Sequence, residues 1–178
     1  MISLIDHNVG RILIALTEVG LAEDTIVVFT SDHGDWLGDH GLILKGPMPY
    51  EGLLRVGLIV RGPRVPMGKR VDDPVSTLDL GATFLDYAGA SSRNIPHGAS
   101  LRPLIEGDAA SRAFALSEWE LHPQRVAVAL SIRTVRTRTL KLTVDLRSGD
   151  AELYDLAADP PREPTASLIP PTIAGESS

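Results

Sequence analysis

The sequence of 178 residues contains no cysteine, which excludes disulfide bonds, thiolate metal sites and a cysteine nucleophile from this chain. Aromatic residues are also few, with three Phe, three Tyr and two Trp, so a core must be mainly aliphatic. The net charge of -6 leaves no large basic surface to neutralise phosphates, and this argues against a nucleic-acid-binding protein. Long hydrophobic runs are missing as well, so we expect no membrane span.

The N-terminal residues lack the basic segment and the small-residue cleavage site of a signal peptide, and we expect no signal peptide in this chain. That expectation leaves a cytoplasmic and a periplasmic location open. The oligomeric state is equally open.

The first part of the chain alternates helix and strand signals. Apolar residues recur at helical spacing over 3–19, and Gly20 suits the left-handed position that ends a helix. The run 25–30 is β-branched and apolar on both faces, which predicts a central parallel strand covered by helices. A second strand is predicted at 56–60 and a helix at 78–87.

After about residue 110 the pattern favours a small antiparallel sheet. The candidate strands are 113–116, 127–132, 139–144 and 152–156. Prolines then become frequent, and we expect a disordered tail over 161–178. The predicted organisation is therefore an α/β domain over 1–110, an antiparallel subdomain over 111–160, and the tail.

The segment 30–41 holds the strongest chemical signal. Asp32 and His33 follow the predicted buried strand directly, and ligands of open α/β sheets bind at the carboxyl ends of strands. A carboxylate and a neutral imidazole together suit a divalent cation, and Gly34 would let the backbone approach the ion closely. Taken alone, an Asp-His pair more often stabilises a loop than binds a metal.

The surrounding residues resemble a known family. Ser-Asp-His-Gly at 31–34, Leu-Gly-Asp-His-Gly at 37–41 and Lys45 together resemble the C-terminal signature of the sulfatases, which belong to the alkaline-phosphatase-like superfamily. Further matches follow in the family's order over roughly residues 2–160. They include Arg55-Val56 with Leu58-Ile59-Val60, Leu78-Asp79-Leu80 with Thr83-Phe84-Leu85-Asp86, Gly98 to Leu104, and Glu152 to Leu156 with Asp159-Pro160.

The resemblance implies the C-terminal part of an alkaline-phosphatase-like (sulfatase) α/β sandwich with a small antiparallel C-terminal sheet. It implies that Asp32 and His33 are metal ligands, with Ca²⁺ ahead of Mn²⁺ or Mg²⁺. Lys45 would be a catalytic residue that contacts the sulfate or phosphate group of a small ester substrate. His40 is a second candidate for contacting the substrate, against the alternative of a solvated loop histidine.

The same resemblance identifies what this chain lacks. The family's nucleophile is a formylglycine made from a Cys or Ser in a Cys/Ser-x-Pro-x-Arg motif, and no such motif occurs here. The family's N-terminal acidic pair has no counterpart either. We therefore expect a metal-dependent sulfuric ester hydrolase, present as a fragment that is inactive alone. The alternatives are a phosphonate or phosphate ester hydrolase fragment and a non-catalytic remnant; a His directly after the metal-binding Asp is similar to the phosphonate monoester hydrolases and choline sulfatases.

Three further side-chain groups have structural interpretations. We expect Arg55 to pair with Glu51 one helical turn away. The basic residues Arg133, Arg136, Arg138 and Lys141 alternate with apolar ones, which predicts the solvent-facing side of a sheet. Trp36 either lines a substrate pocket or seals its loop onto the core.

Overall fold

The computed structural model describes residues 1–91, 97–107, 112–122, 124, 128–158 and 167–168. The chain forms two compact units, Met1–Ser31 with Gly57–Lys69, and Asp32–Val56 with Arg70–Ser178. Within the described residues, no helix has the length and hydropathy to cross a bilayer. The predicted disordered tail lies outside the described residues except for Ser167–Leu168, and the predicted division at residue 110 stays a prediction.

The first unit contains α1 (Ile2–Glu18), β1 (Val27–Thr30) and β2 (Leu58–Arg61). The predicted helix end is confirmed, because Gly20 has a φ of 71° and its N–H donates to the Thr17 carbonyl oxygen. The N–H of Leu21 then donates to the Leu16 carbonyl oxygen, which completes a Schellman motif. None of the residues of α1 is buried, although the helix carries an apolar stripe.

The two strands of this unit correct one prediction. Among the described residues, β1 pairs with β2 alone, and the pair is antiparallel, with Thr30 opposite Leu58 and Val27 opposite Arg61. The chain leaves β1 at Thr30 and re-enters at the same end of the pair, so the second strand must run back along the first. The prediction of a parallel strand with both faces covered is therefore wrong for this pairing, and Phe29 is largely exposed.

Among its described residues, the second unit contains three α-helices longer than one turn and a five-stranded sheet. The helices are α2 (Glu51–Leu54), α3 (Asp79–Tyr87) and α4 (Arg102–Glu106), and one turn of 3-10 helix covers Asp39–Gly41. The strands are β3 (Ala115–Leu121), β4 (Leu130–Arg136), β5 (Leu140–Asp145), β6 (Ala151–Asp155) and β7 (Ser167–Leu168). They lie in chain order and every pair is antiparallel, which confirms the predicted small antiparallel sheet and the α/β class.

The buried face of this sheet carries mainly polar side chains, with Ile132 beside them. Lys141 is 2% exposed and Thr134 and Thr143 are also buried, whereas Leu140 and Leu142 are 42% and 41% exposed. The predicted period of two is present, but the assignment to the solvent face is wrong for Arg136 and Lys141, while Arg138 is exposed as predicted. The reason is that Glu51 and the Pro49 carbonyl oxygen provide partners for Arg136 and Lys141 from a distant part of the chain.

The expected pair of Glu51 with Arg55 is also wrong. Glu51 begins the short helix α2, and its carboxylate lies 3.2 Å from Nη2 of Arg136 instead. Arg55 follows α2 and is exposed.

Asp79 joins α3 to the segments around it. Its side chain is fully buried, and it accepts hydrogen bonds from the backbone N–H of Ser76 at 2.7 Å and of Ala99 at 3.0 Å, and from the guanidinium of Arg112. Burial by itself would raise the pKa of the Asp79 carboxyl, but these three donors outweigh burial and hold that pKa below its usual value.

Candidate metal centre and anion site

Asp32 and His33 begin the second unit and present their side chains to one point. The distance from Asp32 Oδ2 to His33 Nε2 is 3.6 Å, and the backbone N–H of His33 donates to Asp32 Oδ1 at 2.9 Å. Asp32 is exposed and His33 is partly buried. The structure therefore brings the carboxylate and the imidazole together at the surface and keeps both out of an apolar interior.

The imidazole of His33 has a defined tautomer. Its Nδ1 lies 2.7 Å from the carbonyl oxygen of Gly34, and a carbonyl oxygen can only accept a hydrogen bond. The proton therefore sits on Nδ1, and the lone pair is on Nε2, the atom that lies 3.6 Å from Asp32 Oδ2. A histidine whose other ring nitrogen donates to a backbone carbonyl is the usual arrangement of a metal ligand, so these two residues fit a divalent cation.

Lys45 completes the polar group. Its Nζ lies 2.9 Å from Nε2 of His33, so an ammonium donor and an imidazole acceptor meet beside the Asp32 carboxylate. The three residues that the sequence singled out for metal and anion binding thus converge across a separation of twelve residues.

The loop that carries these residues is fixed by its backbone. The N–H of Gly34 donates to the Leu53 carbonyl oxygen at 2.8 Å, and a Cβ at Gly34 would overlap the carbonyl oxygen of Gly52. The absence of a side chain at Gly34 therefore allows a close approach of two backbone segments. The sequence predicted that Gly34 allows the backbone to approach an ion closely, whereas the neighbour of Gly34 in the structure is the backbone of α2.

Trp36 holds the same loop from inside. The indole is buried, its Nε1 donates to the Met48 carbonyl oxygen at 3.0 Å, and a Cβ at Gly46 would overlap the ring. The N–H of Trp36 also donates to the Leu44 carbonyl oxygen. Of the two interpretations of Trp36, sealing of the loop is the one that this geometry supports.

His40 lies in the turn Asp39–Gly41 with a left-handed φ of 55°. Its ring stacks on Tyr50, with centroids 3.8 Å apart and planes at 17°. His40 is a predicted substrate contact, and its ring is held in one orientation by Tyr50, which follows Lys45 in the sequence.

Sequence reasoning missed a buried ionic group beneath this loop. The carboxylate of Glu51 forms an ion pair with Arg136 and lies 3.9 Å from Nζ of Lys141. The Lys141 ammonium also donates a hydrogen bond to the Pro49 carbonyl oxygen at 3.1 Å. The available signal was Lys141 itself, a lysine between leucines in a strand, but period two alone does not say which face is buried.

Asp32 and His33 are two candidate metal ligands. In the part of the chain that the structure describes, three or more acidic or histidine side chains do not gather at any point where a metal could bind. Two ligands hold a hard cation weakly, since Ca²⁺ takes six to eight oxygen ligands.

The sequence of this chain is similar to a family model and to known proteins. The family model described as Sulfatase matches residues 1–90. The chain is 35% identical over 165 residues to an arylsulfatase of Clostridium perfringens, which covers 89% of this chain and 33% of that protein. It is 33% identical over 162 residues to a choline-sulfatase of Rhizobium meliloti, which covers 89% of this chain and 30% of that protein.

A solved structure is similar over the same extent. The phosphonate monoester hydrolase of Silicibacter pomeroyi matches with a TM-score of 0.74 and 30% identity, covering 87% of this chain and 35% of that chain. The chain spans about a third of the length of the curated relatives that it matches.

Proposed function

This chain belongs to the sulfatase family, and from that premise we propose that it supplies one half of the active site of a sulfate ester hydrolase. Sulfatases generally use a divalent metal and a formylglycine nucleophile. The chain contains no cysteine and no Ser-x-Pro-x-Arg motif that could yield that nucleophile. Its contribution would be two metal ligands and a lysine for the anion.

The observation that carries this proposal is the hydrogen bond from Nδ1–H of His33 to the Gly34 carbonyl oxygen. It leaves the lone pair on Nε2, and that atom lies 3.6 Å from Oδ2 of the Asp32 carboxylate. A cation held there would neutralise the charge that develops on the transferring group. We infer Ca²⁺ as the ion, with Mn²⁺ or Mg²⁺ as alternatives, because a carboxylate ligand suits these hard cations.

Lys45 would bind the anionic group of the substrate. Its ammonium already lies against Nε2 of His33, and the four-carbon stem lets it turn toward an oxygen when a cation takes that lone pair. A positive point charge at the sulfate oxygens stabilises charge that grows in the transition state. His40 is the second residue that we assign to the substrate, since its ring is oriented by Tyr50.

A phosphonate or phosphate ester is the second candidate substrate. It is supported by the imidazole directly after Asp32 and by the similarity to a phosphonate monoester hydrolase. Sulfate and phosphate are both tetrahedral anions, so the same lysine and cation would serve either one.

Calorimetric titration with Ca²⁺ and with Mn²⁺ tests the metal ligands. We expect the Asp32→Ala and His33→Ala variants to lose at least about tenfold in affinity, which is the usual effect of disturbing a metal site. Asp35→Ala is the matched control, because the Asp35 carboxylate accepts a hydrogen bond from the Leu37 N–H within the loop. Equal heats for the chain and all three variants would remove the metal assignment and favour a non-catalytic remnant.

The isolated chain should not hydrolyse an aryl sulfate or an aryl phosphonate, because it contains no nucleophile of the family's type. Release of nitrophenol from the sulfate and from the phosphonate is the measurement. Turnover by the purified chain that disappears in Asp32→Ala would contradict the expectation of inactivity.

A further inference from the structure

A buried ionic clamp connects the anion-site loop to the C-terminal sheet. We define it as Glu51, Arg136 and Lys141. Arg136 and Lys141 lie opposite each other in the register of β4 and β5, and both face Glu51 at the start of α2. Nε of Arg136 lies 3.2 Å and 3.3 Å from the two carboxylate oxygens, and Nη2 lies 3.2 Å from Oε2.

Lys141 is the most unusual member of the clamp. Its side chain is 2% exposed, and its Nζ lies 4.3 Å from the ring centroid of Tyr154 and 5.9 Å from that of Tyr50. Burial lowers the pKa of the amine, while the carboxylates of Glu51 and Glu152 act in the opposite direction. Replacing a buried ion pair by apolar residues is often neutral or stabilising, so stability alone is a weak reason for this arrangement.

The contacts of Lys141 continue into the anion site. Its ammonium donates to the Pro49 carbonyl oxygen and faces the ring of Tyr50, on which His40 stacks. The carbonyl oxygen of Met48, the residue before Pro49, accepts a hydrogen bond from the indole N–H of Trp36. The segment between Lys45 and Glu51 is therefore held by Trp36 on one side and by the clamp at its end.

We propose that Lys141 and Arg136 are positioning residues, which hold segment 45–51 through Glu51 and Pro49 so that Lys45 and His40 face a common tetrahedral anion. This proposal rests on the proposed function for the identity of the anion. It adds a role for the C-terminal sheet, which fixes the geometry of a site to which it contributes no ligand.

The test compares variants of the 178-residue chain with inorganic sulfate as the probe. Lys141→Met removes the ammonium at similar volume and leaves Glu51 paired with Arg136, and the double variant Lys141→Met with Glu51→Gln also removes the carboxylate that both basic side chains face. Arg133→Met is the matched control, because Arg133 lies on the opposite face of β4 and pairs with Glu118 and Glu120. Thermal unfolding establishes which variants fold, and Lys141→Arg tests rescue.

Two readouts separate positioning from a merely structural role. The ring protons of His40 should lie upfield because they stack on Tyr50, and we expect this shift to disappear in the folded Lys141 variants and to persist in Arg133→Met. Sulfate affinity, followed by the resonances of Lys45 at constant ionic strength, should fall about tenfold in the same variants, a modest effect for misplaced binding groups. Lys141→Arg should recover part of both.

The outcomes distinguish the two proposals. An unchanged His40 shift and a sulfate affinity within about twofold in a folded double variant would overturn the positioning role. If the unmodified chain does not respond to sulfate while the His40 shift is lost in the variants, the anion site proposed above is wrong and the clamp still orients His40. Equal losses in Arg133→Met would reduce the effect to general loosening of the sheet and would also overturn the proposal.

Discussion

The two compact units of this chain bury very different side chains. In the first, residues 1–31 with 57–69, no described residue is buried, and Ile2, Ile12 and Ile14 of α1 are 84%, 61% and 59% exposed. The second buries a mixed set, which includes Trp36, Leu53, Leu101 and Ile132 together with Asp79, Thr83, Thr134, Lys141 and Thr143. The resistance of the chain to unfolding should therefore reside in the second unit, where polar networks accompany a small apolar core.

The largest expected effect is that of Trp36→Ala. Truncation of a buried aromatic side chain costs about 3–5 kcal/mol of unfolding free energy, and here it also leaves the Met48 carbonyl oxygen without its indole donor. Urea unfolding followed by the fluorescence of Trp119, the other tryptophan of the chain, measures the change. In the first unit, Phe29→Ala removes a ring that is 43% exposed and should cost under about 1 kcal/mol. Equal costs for the two variants would contradict the contrast between the units.

A second test uses the buried carboxylate of the second unit. Asp79→Asn should lower the unfolding free energy at pH 7 by about 1.5–3 kcal/mol, since its hydrogen bonds lose their charged acceptor. Because the pKa of Asp79 is held below its usual value in the folded chain, its contribution is complete above the unfolded pKa of about 3.9 and is lost as pH falls through the folded pKa.

The measurement for Asp79 is a series of urea titrations from neutral pH downward. The unmodified chain should lose stability more steeply below about pH 4 than Asp79→Asn does. Asp24→Asn, at an exposed position of the first unit, should leave the unfolding free energy at pH 7 within about 0.5 kcal/mol. Parallel acid profiles for the chain and Asp79→Asn would show that this carboxylate does not stabilise the fold.

Two glycines, one in each unit, provide the third comparison. Gly34→Ala should destabilise the second unit by about 1–3 kcal/mol, because its Cβ would meet the Gly52 carbonyl oxygen and force the two segments apart. Gly10→Ala lies in α1 with nothing within 4 Å of the added Cβ, and it should stabilise the helix by about 0.5–1 kcal/mol. Circular dichroism at 222 nm and tryptophan fluorescence report the two changes separately. A loss of helicity in Gly10→Ala would contradict the exposure of α1, because it would indicate that other residues pack against Gly10.

Much of the fold could be predicted from periodicity and turn residues. The helix predicted at 3–19 occupies Ile2–Glu18, and the strand predicted at 139–144 occupies Leu140–Asp145. The convergence of Asp32, His33 and Lys45 follows from a loop whose glycines let it fold back on itself. The short helices α2 and α4 were not predicted, since four or five residues contain too little of a helical period to be recognised.

The buried face of the C-terminal sheet could not be predicted from local pattern. Alternation in β5 indicates two faces, and an apolar face is normally the buried one. Here Lys141 is buried because Glu51, ninety residues earlier, and the tyrosines at 50 and 154 surround its ammonium. The same long-range partner explains why Glu51 pairs with Arg136 and not with Arg55. Ion pairs between residues so far apart depend on the topology of the fold, and the residues next to each partner in the sequence do not predict them.

The burial of polar side chains and the exposure of leucines in the C-terminal sheet have a practical consequence for mutagenesis. Leu116, Val135, Leu142 and Leu153 stand side by side across four strands on the outward face, as the register places them. Polar replacements at Leu140 and Leu142 should raise solubility with little loss of packing, since both leucines are already more than a third in contact with solvent. A mutagenesis plan based on hydrophobicity alone would instead replace Lys141, which is buried against Glu51, Tyr50 and Tyr154.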